Sequence, residues 1–236
     1  MNLIRTLVWW IVAGGMVVVV GIPAALLSIP DPKRRPIVWG AYFWSWVLLK
    51  VAGCTIRVEG EEKLRAYRQF VIVSNHQSYF DIFALICILR TVPHFLAKKE
   101  LFRIPLFGQL LSLAQVLKID RQNPKAAVAN IKASMAKGMD RPIAIFPEGT
   151  RSPDGRLQPF RRLGLFILME TELPMFPVGI RGTRDAMPKG RYSVRPTNIR
   201  VKIGDPFFPK PGLSDEEKDR IREELWKSVH TLLETL

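Results

Sequence analysis

Between Leu7 and Pro30 the sequence carries no charged side chain. The run Leu7–Ile29 is 23 residues long, and about 20 apolar residues are enough to cross the hydrocarbon of a bilayer. Gly14, Gly15, Gly21 and Pro23 interrupt it, which predicts a bend. The polar loop Asp31-Pro-Lys-Arg-Arg-Pro36 follows, and then a second apolar run, Ile37–Leu49, of 13 residues. That run is too short to span. Its Trp39, Tyr42, Phe43, Trp44 and Trp46 give it the aromatic enrichment of a helix lying in the interface. With Trp9 and Trp10, these tryptophans are the expected membrane-contacting aromatics. Lys33, Arg34 and Arg35 suit lipid headgroups, each worth about 1 kcal/mol near an anionic leaflet.

Three arrangements accommodate this start. A cleaved signal peptide fits Arg5 and the apolar core, but the run is long and no clear small-x-small site precedes the basic loop. A single span would place the basic loop on the cytoplasmic side. A two-helix hairpin held in one leaflet also explains the short second run, and is the arrangement expected for residues 1–53. Each of the last two puts the protein on a membrane, at its cytoplasmic face, most simply the inner membrane of a cell.

The remaining chain, residues 54–236, reads as one α/β domain. An apolar fraction of 48% and a charged fraction of 24% exclude a disordered chain and a polytopic membrane protein. Thr55–Glu59, Phe70–Ser74, Val116–Ile119, Pro142–Phe146, Met175–Arg181 and Ile199–Ile203 read as strands. Ile82–Leu89 reads as a buried helix and Arg162–Glu170 as another. Asn123-Pro124 starts a helix whose Ala127, Ile131, Ser134, Met135 and Gly138 share a face. Ser214 and Glu217 make a capping box ahead of the stripe Ile221, Leu225, Val229, Leu233, Leu236. The alternation predicts a mostly parallel mixed sheet flanked by helices, with ligands beyond the carboxyl ends of its strands.

The net charge of +14 implies an anionic partner, and its placement narrows the choice. Residues 1–81 carry 9 basic and 5 acidic side chains, residues 82–204 carry 21 and 8, and residues 205–236 carry 5 and 8. Five of six tryptophans precede residue 50, so aromatics and cations are separated rather than interleaved. That pattern favours a membrane with a phosphate site over nucleic acid. Two cysteines, Cys54 and Cys87, and three histidines, His76, His94 and His230, point to no disulfide framework and no metal site. His94 and His230 read as structural.

Two motifs fall where strands end. The first is Asn75-His-Gln-Ser-Tyr-Phe-Asp81. A carboxylate five residues after a histidine can bond one imidazole nitrogen, fix the tautomer and leave the other nitrogen to accept a proton. Ser78 and Asp81 equally fit a helix capping box, with His76 a satisfied turn residue. Ser78 lacks the glycine elbow of a serine nucleophile. The second motif is Phe146-Pro-Glu-Gly-Thr-Arg151. Its turn lets backbone approach a ligand, and Arg151 offers a planar fork for phosphate oxygens. Glu148 suits a ligand hydroxyl or a neighbouring cation, or a plain surface salt bridge.

His76-x4-Asp81 followed by Phe146-Pro-Glu-Gly-Thr-Arg151 resembles the glycerolipid acyltransferases, specifically the 1-acyl-sn-glycerol-3-phosphate acyltransferases. Lys98-Lys-Glu-Leu-Phe-Arg-Ile-Pro-Leu-Phe-Gly108, Ile119-Asp-Arg121 and Leu173-Pro-Met-Phe-Pro-Val178 resemble further blocks of that family, over roughly residues 55–210. The resemblance implies acyl transfer from a thioester, acyl-CoA or an acyl carrier protein, to the free hydroxyl of lysophosphatidic acid, with no other cofactor. It implies His76 as general base and Asp81 as its orienting partner. It also implies that Glu148, Gly149, Thr150 and Arg151 hold the acceptor, with Lys98, Lys99 and Arg103 as further phosphate-binding candidates.

Overall fold

The computed structural model describes residues 2–236 apart from 104–106, 120–122 and 137–138. Asp120, Arg121, Gly138 and the middle of the Lys98–Gly108 block therefore lie outside the described residues.

The chain opens with α1 (Asn2–Met16), which runs through a π-helical turn at Val17–Gly21 into α2 (Ile22–Leu27). Leu3–Leu27 is thus one helical stretch of 25 residues, long and apolar enough to cross a membrane by length and composition. The loop that follows is tied by its own polar groups. Asp31 accepts from the amides of Lys33 and Arg35, and Ser28 Oγ accepts from the amide of Ile37. The Arg34 guanidinium donates to the carbonyls of Ser28 and Ile29. Arg34 thereby closes the open end of α2 while staying partly exposed. Lys33 remains exposed, 3.8 Å from Asp140, and Arg35 is exposed.

α3 (Arg35–Ala52) then folds back on α1 and α2 and packs on α4 (Phe80–Leu89). Gly40 sits where a Cβ would stand 3.0 Å from Ala24 Cβ, so the helices meet through small residues. Two tryptophans turn inward, against expectation. Trp9 is only 3% exposed, stacks on Phe80 and donates its indole N–H to Leu48 O. Trp44 is half-buried, donates to Ala13 O and meets Phe83 edge to face. Burying a tryptophan is favourable when its N–H finds a carbonyl, and both do. Trp10, Trp39 and Trp46 stay exposed, together with Leu3, Ile4, Leu7, Val18 and Leu26. The inward faces of α1 and α3 join the same apolar core as Phe176, Ile199 and Val201 of the sheet.

The sheet strands are β1 (Thr55–Glu59), β2 (Val71–Ser74), β3 (His94–Lys98), β4 (Leu117–Ile119), β5 (Ile143–Ile145), β6 (Met175–Arg181) and β7 (Asn198–Ile203). Their spatial order is β1-β7-β6-β2-β5-β3-β4. All neighbouring pairs are parallel except β6 with β7. The expected mixed, mostly parallel sheet is present. β2 and β5 are buried along their whole length, as strands covered on both faces must be. α6 (Pro124–Ala136) and α7 (Arg162–Met169) cover one face, with α9 (Asp215–Glu234) closing over it through Leu225 and Val229. Asn123 caps α6, and Ser214 with Glu217 caps α9 by the reciprocal bonds the sequence predicts. The short α5 (Phe107–Leu113) and α8 (Thr183–Ala186) complete the order.

Candidate active site

β2, β5 and β6 are parallel and adjacent, so their carboxyl ends lie side by side. β2 delivers the turn that holds His76, β5 delivers the Phe146–Arg151 loop, and β6 leads to Lys189. Asn75 locks the first turn in place. Its amide donates to Ile180 O (2.9 Å) and accepts from Ile180 N (2.8 Å), which carries β2's pairing with β6 beyond the strand.

Asp81 lies in the first turn of α4 and is fully buried. Its Oδ2 accepts from the amides of Gln77 (2.6 Å) and Ser78 (2.8 Å), and stands 2.7 Å from His76 Nδ1. An oxygen already accepting two N–H bonds requires a donor in the third, so Nδ1 carries the proton. The His76 ring therefore presents Nε2 as a proton acceptor. The ring also lies flat on Phe146, centroids 4.0 Å apart at 14°. Half of the expected capping box is present in the bond from Ser78 N to Asp81 Oδ2; Ser78 Oγ accepts from Phe80 N (3.2 Å) rather than from Asp81 N, and donates to Met187 O, 2.7 Å away.

The two motifs are bonded to each other through backbone. His76 N donates to Glu148 Oε1 (2.6 Å), and Ser152 N donates to His76 O (2.8 Å). Glu148 Oε2 accepts from Gln158 N (2.9 Å). Glu148 is 3% exposed, so the expected contact with the acceptor is corrected: one oxygen fastens the His76 amide and the other that of Gln158. Burial pushes its carboxyl up to about 7. The two amide bonds oppose this rise and the nearby Asp81 charge adds to it.

Gly149 and Thr150 are exposed at the tip of the second loop. Gly149 adopts φ +73°, and a Cβ there would stand 2.9 Å from Arg161 Cδ. The Arg151 guanidinium lies 3.9 Å from the centre of the Tyr79 ring, half-buried, so the first motif holds the cation of the second. Lys189 donates to Thr150 Oγ1 (3.2 Å) and to Arg151 O (2.7 Å). Sequence reasoning missed both Tyr79 and Lys189. The tyrosine sat unmarked inside the His-x4-Asp spacing, and the lysine lies in a stretch with no motif.

Lys98 ends β3, two strands from β2 on the same carboxyl edge; its side chain lies outside the described residues. Lys99 is half-buried and Arg103 exposed, at the two ends of the 3₁₀ turn Lys99–Arg103. Among the described residues no group of three or more His, Cys, Asp or Glu could hold a metal. Burial pushes the thiols of Cys54 and Cys87 up to about 11, which keeps both protonated.

A buried carboxylate, a histidine bonded to it and a cationic loop thus gather at the carboxyl edge of a parallel sheet, where folds of this kind place their ligands. Comparison with known proteins gives the family. Residues 55–181 match the family described as Acyltransferase. The chain is 32% identical to a 1-acyl-sn-glycerol-3-phosphate acyltransferase of Limnanthes douglasii, over 93% of this chain and 74% of that protein. It is 32% identical to one of Pseudomonas aeruginosa, over 69% and 63%. The crystal structure of the 1-acyl-sn-glycerophosphate (LPA) acyltransferase from Thermotoga maritima superposes with a TM-score of 0.81 at 28% identity, covering 99% of this chain and 95% of that one. The chain belongs to the 1-acyl-sn-glycerol-3-phosphate acyltransferase family and is an acyltransferase.

Proposed function

We propose that the protein moves a fatty acyl group from an acyl thioester to the sn-2 hydroxyl of lysophosphatidic acid, forming phosphatidic acid. The observation that carries the mechanism is the 2.7 Å contact of His76 Nδ1 with Asp81 Oδ2. His76 Nε2 takes the proton of the hydroxyl as its oxygen forms a bond to the thioester carbonyl carbon. The tetrahedral adduct collapses, the carbon–sulfur bond breaks, and the departing thiolate takes the proton back from the imidazolium. No acyl-enzyme is needed. Asp81 stabilises the imidazolium between the two steps, as a buried carboxylate does. Arg151, with Thr150, Gly149 and the cations Lys98, Lys99 and Arg103 along the same edge, holds the acceptor phosphate.

Residues 1–53 form the membrane-associating part and residues 54–236 the acyltransferase part. The exposed faces of α1, α2 and α3, with Trp10, Trp39 and Trp46, enter the cytoplasmic leaflet and bring the site to its lipid acceptor. Purified protein assayed with acyl-CoA and acyl-carrier-protein donors, each crossed with lysophosphatidic acid and glycerol 3-phosphate, tests this reading. Turnover confined to lysophosphatidic acid is expected. Turnover on glycerol 3-phosphate alone would replace the acceptor.

A further inference from the structure

The segment between α8 and β7 has no part in either motif, yet it touches both and the membrane helix as well. Met187 and Val194 are buried in the main core and anchor its ends. Between them Lys189, Gly190, Arg191 and Tyr192 are exposed. Met187 O accepts from Ser78 Oγ of the first motif, and Lys189 bonds Thr150 and Arg151 O of the second. Farther along, Tyr192 O accepts from the Trp10 indole (3.0 Å), and Val194 N donates to Thr6 Oγ1 (2.9 Å). The Tyr192 and Trp10 rings meet edge to face at 6.1 Å. The strap thus runs from the catalytic loops to the side of α1.

Its chemistry differs from that of the surrounding surface. From Ala186 to Gly204 there is no acidic residue, and Lys189, Arg191 and Arg195 lie within the strap. Arg191 and Arg195 are exposed. Arg5 of α1 flanks the strap's far end: a Cβ on Gly53 would stand 3.1 Å from Pro196 Cβ and 3.9 Å from Arg5 Cζ. Tyr192 is 68% exposed, and its ring continues the exposed apolar face of α1 formed by Leu3, Leu7 and Trp10. An apolar patch with an aromatic edge and a basic rim has the composition of a surface that meets anionic lipid.

We propose that Pro188–Pro196 is a second bilayer-contact element: Tyr192 lies at the interface beside Trp10 while Arg191 and Arg195 meet anionic headgroups. Through Lys189, docking of this strap steadies the loop that carries Arg151. The proposal rests on the membrane reading of α1 and α3 and extends it to the α/β domain.

The test is co-sedimentation of the full chain with vesicles of phosphatidylglycerol and phosphatidylethanolamine, beside vesicles of phosphatidylcholine alone. The variant Arg191→Glu/Tyr192→Ser/Arg195→Glu should bind the anionic vesicles at least about tenfold more weakly at low salt, given about 1 kcal/mol per basic residue. It should turn over a water-soluble short-chain lysophosphatidate at the wild-type rate. Wild-type affinity of this variant for anionic vesicles overturns the proposal. Should it lose soluble turnover too, Arg191→Gln/Arg195→Gln decides, since undiminished anionic-vesicle binding by that milder variant also overturns the strap. A Trp39→Ser/Trp46→Ser variant separates the two readings. If it loses vesicle binding while the strap variants keep theirs, the strap fails and the helical anchor stands. If the wild type binds no vesicle of either kind, the membrane reading itself fails.

Discussion

His76 stands just beyond the carboxyl end of β2, whereas His94 opens β3 at its amino end, two strands away in the same sheet. Each imidazole bonds through Nδ1, at 2.7 Å for His76 and 2.8 Å for His94. The partners differ. His76 faces a buried carboxylate and keeps a side chain 15% exposed to the site. His94 faces the carbonyl of Gln115, is 3% exposed, and lies beside the buried Arg141. Burial first, and the Arg141 charge second, push the His94 imidazole down to about 4. In the proposed mechanism the carboxylate partner lets His76 hold a proton during turnover; a carbonyl and an arginine make His94 a neutral strut. Residue type alone does not distinguish these roles. The end of the strand does, because loops at the carboxyl edge line the crevice and the amino edge is closed by Gln115 and Arg141.

The contrast is broken most severely at His76. His76→Ala should lower kcat by about 10²–10⁴, or about 3–5 kcal/mol of barrier, with thermal unfolding unchanged. His94→Gln keeps a donor for Gln115 O and should leave kcat as it is. Equal losses in the two variants would erase the distinction. Asp81→Asn tests the partner rather than the base. It keeps an oxygen for the Gln77, Ser78 and Nδ1 protons but removes the charge that holds the imidazolium, so kcat should again fall by about 10²–10⁴ with KM little changed. A KM effect alone would reduce Asp81 to a helix cap.

On the other side of the comparison stands pH. The folded chain refuses a proton at His94 until about pH 4, whereas an unfolded histidine binds one near 6.5. The contribution to stability is therefore complete above pH 6.5 and is lost as the pH falls through 4, by up to about 3 kcal/mol. Denaturant unfolding of wild type and His94→Gln across that window should show a flatter curve for the variant. Parallel curves would mean His94 is solvated rather than buried.

These two histidines also show how far residue order alone reaches. The strand ends, the His-x4-Asp spacing and the Glu-Gly-Thr-Arg turn are local patterns, and β2 and β5 bring them together as neighbouring parallel strands. The bond from Glu148 to the His76 amide spans 72 residues, and nothing in either motif announces it. Nor does an apolar helix announce which side packs. Trp9 and Trp10 are adjacent in a run with no polar stripe, yet one lies in the core and the other faces out. The place of β7 between β1 and β6, antiparallel to the second, likewise depends on the partner strands and not on its own alternation.

Arg151 and Tyr79 carry the comparison into substrate binding. If Arg151 holds the acceptor phosphate as proposed, Arg151→Ala removes a charged partner worth about 1.5–3 kcal/mol for hydrogen bonds to a charged group, and KM for the acceptor should rise at least about tenfold. Tyr79 acts only through that arginine. Its ring lies 3.9 Å from the guanidinium, a contact worth about 0.5–1 kcal/mol at a partly exposed site. Tyr79→Leu should therefore raise acceptor KM by about two- to fivefold and leave kcat and the pH profile of His76 unmoved, while Tyr79→Phe, which keeps the ring, should bind as wild type does. If Tyr79→Phe is as weak as Tyr79→Leu, the phenol and not the ring face is what the site uses, and Arg151 is held by its own loop.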